Sequence, residues 1–232
     1  MNKLIGLIVL MLIVAGCAST NKERAASNND AQKHLQDGIA FASSGSLKKA
    51  VIELDLAIES CEKKYSEKNT KVFAARGQVE TLYYMVLAYT LNMDAIAVDT
   101  TCSDALYFRG YSELDLGNIE TAQSYIERAI EMSPNNSRYL SELGHIHQTN
   151  KKWKEALEVF ITSEESAELY SPENVKVREL TRAKRGVGFA LTELNRIDEA
   201  EKKYEECLAL NPNDKGAAQE LVYLKKLREK KS

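Results

Sequence analysis

Residues 103–136 read SDALYFRGYSELDLGNIETAQSYIERAIEMSPNN and residues 137–170 read SRYLSELGHIHQTNKKWKEALEVFITSEESAELY. Aligned one above the other, Leu106, Gly110, Ala122, Ile126 and Ala129 recur 34 residues later as Leu140, Gly144, Ala156, Phe160 and Ser163. Within 119–131, Ile119, Ala122, Ile126, Ala129 and Ile130 return at helical intervals, with Glu120, Gln123, Glu127, Arg128 and Glu131 on the other side. Such a stripe belongs to a helix packed on one face. Gly117-Asn118 and Asn150-Lys151 fall midway through the two units, where a chain turns between helices. A single helical hairpin cannot bury its stripe alone, so the period predicts stacked hairpins that share a continuous core.

A 34-residue unit with a small residue at position 8, Ala at position 20 and Pro near its end resembles the tetratricopeptide repeat. The resemblance implies an all-α, right-handed α-solenoid of helix–turn–helix units. Extending the register predicts five units, 31–64, 69–102, 103–136, 137–170 and 181–214. Gly38, Phe41, Ala50, Leu54 and Ala57 carry the first, and Gly188, Leu191, Ala200, Tyr204 and Pro212 the last, with Asn195-Arg196 at its turn. Ala88 and Ala95, 34 residues before Ala122 and Ala129, place the second. It fits poorly: Arg76 stands at the small-residue position, and Leu82 to Leu87 occupies the expected turn, so it reads as a degenerate repeat whose first helix runs on. No long strand-like alternation competes with this all-helical reading. Residues 215–232, with an apolar stripe of Ala217, Leu221, Leu224 and Leu227, read as a capping helix and tail. Its basic cluster, Lys225, Lys226, Arg228, Lys230 and Lys231, is expected to be mostly solvated.

Two irregularities interrupt the register. Four extra residues precede Asn69, and ten begin at Ser171. Ser171-Pro172-Glu173 reads as an N-cap followed by Pro in the first helical turn, predicting a long helix over about 173–192. Such a helix either roofs one end of the groove or packs on the neighbouring repeat.

At the N-terminus, Met1-Asn2-Lys3 supplies a positive segment, Leu4 to Val14 an apolar run of eleven, and Val14-Ala15-Gly16-Cys17 a small-residue cleavage site ending in Cys. Eleven residues fall short of the roughly 20 that span a bilayer. The pattern resembles the lipobox of bacterial lipoproteins. That resemblance implies a signal peptide at 1–16, a lipidated Cys17 and a membrane anchored through this lipid. Residues 18–30 are small and polar and read as a tether; thirteen residues of coil span about 20 Å. Ala18, where the family places Asp for inner-membrane retention, points to an outer-membrane lipoprotein facing the periplasm.

The 232-residue chain carries 31 Lys and Arg against 34 Asp and Glu. Losing residues 1–16 removes only Lys3, so 30 − 34 leaves a net charge of −4, which disfavours nucleic acid as a partner. Of the cysteines other than Cys17, Cys207 occupies a packed repeat position and is expected to be buried and inert. Cys61 and Cys102 sit near the ends of the first two units; equivalent points in adjacent repeats lie about 10 Å apart, too far for a disulfide without a local shift.

No catalytic, metal or cofactor-binding constellation emerges: His145 and His147 point to different faces, His34 is remote, and Gly-rich phosphate loops, Cys-x-x-Cys and serine elbows are absent. The family resemblance implies instead a concave groove lined by the first helix of each unit at positions 2, 5, 9 and 12. Those places hold Phe73; Asp104, Tyr107 and Tyr111; Arg138, Ser141, His145 and Gln148; and Arg182, Arg185 and Phe189. Central aromatics with Arg toward the C-terminal end suit an extended peptide with an apolar anchor and an acidic end. Tyr107, Tyr111 and Phe189 are read equally well as inter-helix packing. The function expected is a lipid-anchored scaffold that holds a protein or peptide partner; the alternative is a subunit that self-associates through convex or edge surfaces.

Overall fold

A computed structural model describes residues 30–66 and 69–231. The expected signal peptide, Cys17 and most of the tether lie outside the described residues. The elements run α1 (30–43), α2 (Leu47–Lys64), β1 (Lys71–Ala74), α3 (Gln78–Thr90), β2 (Ala95–Val98), α4 (Thr101–Asp115), α5 (Ile119–Met132), α6 (Ser137–Thr149), α7 (Trp153–Tyr170), α8 (Glu173–Glu193), α9 (Ile197–Leu210) and α10 (Lys215–Lys231). Helices α1/α2, α4/α5, α6/α7 and α8/α9 form hairpins that stack in sequence order, and α10 closes the array against α9. The chain is an all-α solenoid carrying one small βαβ excursion.

The repeat register sets both turn and packing. Position 15 of each hairpin, occupied by Gly45, Gly117, Lys151 and Asn195, adopts positive φ of 75°, 84°, 58° and 60°. This left-handed residue reverses the chain between the two helices; glycine adopts it without strain, whereas lysine does not. Position 8 is small because the helices touch there. A Cβ on Gly144 would lie 2.8 Å from the Phe160 ring, and one on Gly110 would lie 2.9 Å from the Ala122 carbonyl. Ala50, Ala122, Ala156 and Ala200, all at position 20, are fully buried. The core divides into one cluster under α1–α6, including Leu54, Ile126 and Tyr139, and another under α7–α10, including Phe160, Tyr204 and Leu224.

The segment 69–102 departs from the expected helical repeat. Lys71–Ala74 and Ala95–Val98 pair as a parallel two-stranded sheet, Lys71 opposite Ala95 and Ala74 opposite Val98, with α3 as the crossover. The first helix expected to run on through Leu82 to Leu87 is absent: 71–74 is a strand, and these residues belong to α3, which starts only at Gln78. Ala95, aligned by period with Ala129, is instead a strand residue. Val72, Phe73, Ile96 and Val98 favour extended backbone, and two four-residue strands satisfy their hydrogen bonds only through each other. Phe73 stacks on Tyr84 with ring centroids 4.9 Å apart and is buried, which removes it from the groove.

Because 69–102 is not a helical hairpin, α2 packs directly on α4, and the α1/α2 and α4/α5 hairpins become stacking neighbours. Cys61 and Cys102 consequently stand 5.8 Å apart at Cα and form a disulfide, closing the separation expected between adjacent repeats. Cys207 is a buried free thiol, pushed up to about 12 by burial and then by the charge of Asp214.

The insertion is fastened to the solenoid by Arg76. Its guanidinium bonds Glu80 at 2.9 Å, Glu179 at 2.8 Å and the Asn135 carbonyl at 3.1 Å, while the Tyr84 hydroxyl accepts the Asn135 amide. Helix α8 is extended at its N-terminal end, as expected. Its added turns bring Glu179 to Arg76 and to the Ser171 hydroxyl, so the extension packs on its neighbours rather than roofing the groove. Pro172 rather than Ser171 takes the N-cap, as the last residue with extended backbone (ψ 141°) before α8, while Ser171 ends α7 as its C-cap.

Candidate functional site

The first helices of the later repeats, α4, α6 and α8, carry the residues expected in the groove; Asp104 and Arg138 lie in the first turns of α4 and α6, and Arg182 lies midway along the longer α8. Arg138 on α6 pairs with Asp104 on α4, its repeat equivalent 34 residues earlier. The same Asp104 accepts the Tyr139 hydroxyl at 2.7 Å. Arg138 lies 4.6 Å above the Tyr107 ring, and Tyr107 stacks on Tyr139 with centroids 5.0 Å apart. The Tyr107 hydroxyl donates to Glu142 at 3.3 Å, and Glu142 in turn accepts Arg182 of α8 at 2.5 Å. Burial, then the Glu142 charge, pushes the Tyr107 phenol up to about 12. Arg185, one turn further along α8, pairs with Asp214, whose other carboxylate oxygen caps α10 at the Ala217 amide at 3.0 Å.

The arginines expected to meet a peptide's acidic end are already engaged within the chain. Arg138, Arg182 and Arg185 each already hold an internal carboxylate, because the buried Glu142 and Asp214 need a counter-charge where helices approach. Arg182 and Arg185 remain about a third exposed at the groove, at 37% and 36%.

Six of the expected groove residues, two of them the ladder's Arg182 and Arg185, converge on one site. Ser141, His145 and Gln148 of α6 and Arg182, Arg185 and Phe189 of α8 line one pocket of about 280 Å³, completed by Gly216 and Glu220 of α10. Its floor is Phe160 and Tyr204, seated under Gly186 and Gly188. A Cβ at Gly186 would lie 2.2 Å from the Phe160 ring, so glycine there is what lets α8 lie flat on α7. The Tyr204 hydroxyl is fully buried beside Thr192 and has no partner at hydrogen-bonding geometry among the described residues. His145 is exposed, Phe189 half-buried and edged by Trp153 at 6.1 Å, and the Gln148 amide reaches the Gly186 carbonyl at 3.4 Å. Ser141 is buried and bonded to Ser163 at 2.8 Å, so it shapes the wall without presenting its hydroxyl.

The remaining candidates fall elsewhere. Asp104, Tyr107 and Arg138 belong to the internal ladder, and for the buried Tyr107 the packing reading holds. Tyr111 is exposed on α4, 6.3 Å from Tyr107. Glu142, Tyr139, Asp214 and Glu220 were missed, since they stand outside positions 2, 5, 9 and 12. The opposite charges of Asp104 and Arg138, one period apart, were the one sequence signal that adjacent repeats pair across the groove. Among the described residues no group of three or more His, Cys, Asp or Glu is placed to hold a metal ion.

Models of the tetratricopeptide repeat match residues 103–136 and 182–214. No curated protein matches the chain. Among solved structures, one described as a functional characterisation of Pseudomonas aeruginosa pilF superposes with a TM-score of 0.58 at 17% identity, covering 91% of this chain and 72% of that one. MamA from Desulfovibrio magneticus RS-1, residue 41 to its end, superposes at 0.56 and 16% identity over 86% of each chain. The α4/α5 hairpin and the α8/α9 hairpin thus carry tetratricopeptide repeats, and the helical hairpins of the described residues stack with the fold of a tetratricopeptide-repeat solenoid.

Proposed function

We propose that this chain is a lipid-anchored envelope scaffold that binds an extended segment of a protein partner in the pocket bounded by α6, α8 and α10. The observation that carries the reading is the convergence of His145, Gln148, Arg182, Arg185 and Phe189 on one open concave site. An apolar surface from Phe189 and Phe160 flanked by donors on both sides is the arrangement that holds one anchor side chain and the adjacent main chain. The arginine–carboxylate pairs work as a rigid frame: with Arg182 held by Glu142 and Arg185 by Asp214, their remaining donors are oriented before a ligand arrives. Acylation of Cys17 would place the scaffold at the periplasmic face of the outer membrane.

A photocrosslinking amino acid at Phe189, compared with one at Tyr111 on the same groove side and at Lys151 in a turn, tests the site in the native envelope. A discrete adduct from position 189 and none from 151 is expected. Equal yields from all three positions would refute the pocket assignment. Intact mass of the membrane-extracted protein reports the acyl chains on Cys17 independently.

A further inference from the structure

Among the described residues, one helix face of the βαβ insertion has no partner. Helix α3 rests on the sheet through Tyr84 and Ala88, and its sole charged residue, Glu80, is buried against Arg76. On its outer side Val79, Leu82, Val86 and Tyr89 are 63%, 67%, 56% and 88% exposed. Their spacings of three, four and three residues put them on one stripe. Seven large apolar side chains between Val79 and Met93 are exposed: Leu91 and Met93 follow the end of the stripe, and Tyr83 flanks it while packing on Tyr170 with ring centroids 5.1 Å apart. A contiguous apolar patch of this kind marks an interaction surface.

The chemistry and placement of the patch select its occupant. It is a convex helix face with no charged group on it, so it offers a partner neither a groove nor an ion pair. Its outermost residue, Tyr89, has an apolar ring with a polar tip, suited to the boundary between acyl chains and headgroups. The N-terminal end of α1 leaves the solenoid at the base of this insertion. Ala31 packs with Cys61 and Cys102 against Tyr65, and these last three border the pocket whose far wall is Thr70, Lys71 and Val72 at the start of β1. Twelve residues, 18–29, separate Cys17 from α1. Fully extended they reach at most about 40 Å, so an acylated Cys17 holds this end of the molecule near the bilayer.

We propose that the exposed face of α3 is a lipid-contact surface, lying in the headgroup–acyl boundary of the membrane that anchors Cys17. The inference rests on the acylation of Cys17 proposed above. The domain then does not hang freely on its tether. A second contact, at the insertion, sets which end of the solenoid faces the bilayer.

The test uses the full chain, extracted and reconstituted into nanodiscs whose phospholipids carry bromine on their acyl chains, with Leu82→Trp in a Trp153→Phe background. Emission from the Leu82→Trp variant shifts to the blue and is quenched about two-fold or more relative to unbrominated lipid, as for a side chain in the acyl boundary. Val86→Trp, on the same stripe, gives the same response, while Trp153 of the unmodified chain is not quenched. Unquenched, water-like emission from both variants in acylated protein overturns the proposal. So does unquenched emission that varies with protein concentration, which assigns the face to a second copy. If intact mass shows no acyl chain on Cys17, the measurement is made with brominated vesicles: quenching keeps the α3 surface while the anchor reading falls, and its absence overturns both.

Discussion

Reducing the Cys61–Cys102 disulfide separates what it contributes from what the insertion contributes by itself. The bridge joins residues 41 apart in sequence, so it removes loop-closure freedom from the unfolded chain. Treating the effect as chain entropy, a closed loop of this length is worth about 4 kcal/mol at 25 °C. That figure is a ceiling. Arg76 with Glu80, Glu179 and Asn135, together with Tyr84 at the Asn135 amide, holds the same segment without the bridge. For a chain of this size each kcal/mol corresponds to roughly 2–4 °C in melting temperature, so a downward shift of about 10 °C is expected for Cys61→Ser/Cys102→Ser or on addition of a reductant. Repeats contact only their neighbours, so the loss should be local. Hydrogen exchange should accelerate first in β1, α3 and β2 while α8, α9 and α10 keep their protection. The assay is thermal melting followed by circular dichroism, with thiol trapping to confirm reduction. A shift below about 1 °C with both thiols trapped would show that the loop is already closed by its side chains, and the entropy argument fails.

Arg76→Met leaves the buried Glu80 and the nearly buried Glu179 without their shared cation; a loss of about 3–5 kcal/mol is expected by urea unfolding, against under about 1 kcal/mol for the exposed Arg196→Met. Lys151 sits at φ 58° where the α1/α2 and α4/α5 hairpins carry glycine, so Lys151→Gly should raise stability by about 0.5–1 kcal/mol, whereas Gly117→Lys should lower it. His147 is held below its ordinary pKa by burial and then by Lys152, with its Nδ1 buried and unpartnered. The unfolded chain therefore takes up the proton first, so this contribution to stability is full above about pH 6.5 and is lost as pH falls toward the lowered folded value. His147→Gln should flatten the difference in melting temperature between pH 7 and pH 5; an unchanged slope would exclude His147 as its source.

The helical repeats were legible because their information is local and periodic. Gly110 and Gly144, Ala122 and Ala156, and the stripe through Ile126 each state a packing constraint that recurs every 34 residues. The insertion was not legible for the opposite reason. Lys71–Ala74 and Ala95–Val98 are only four residues each, and what makes them strands is their pairing across α3. The period then assigned Ala88 and Ala95 to a repeat that does not exist, and with it the separation of Cys61 from Cys102. The candidate site was legible in part. Positions 5, 9 and 12 of α6, with the matching turns of α8, do face one pocket. Whether an arginine is free or paired depends on carboxylates such as Glu142 and Asp214, whose distance in space no repeat position announces.

By itself the sequence determined the solenoid, its hairpin turns, its capping helix and the long α8, because each follows from the amphipathic period and the close approach of small residues within neighbouring units. Only the tertiary structure decided that α2 stacks on α4, that a disulfide closes the excursion between them, that the groove arginines are committed to internal carboxylates, and that one face of α3 is left apolar and uncovered. Those outcomes depend on pairings between residues many tens of positions apart, where chain entropy and the cost of an unpaired buried charge are settled by three-dimensional neighbours rather than by period.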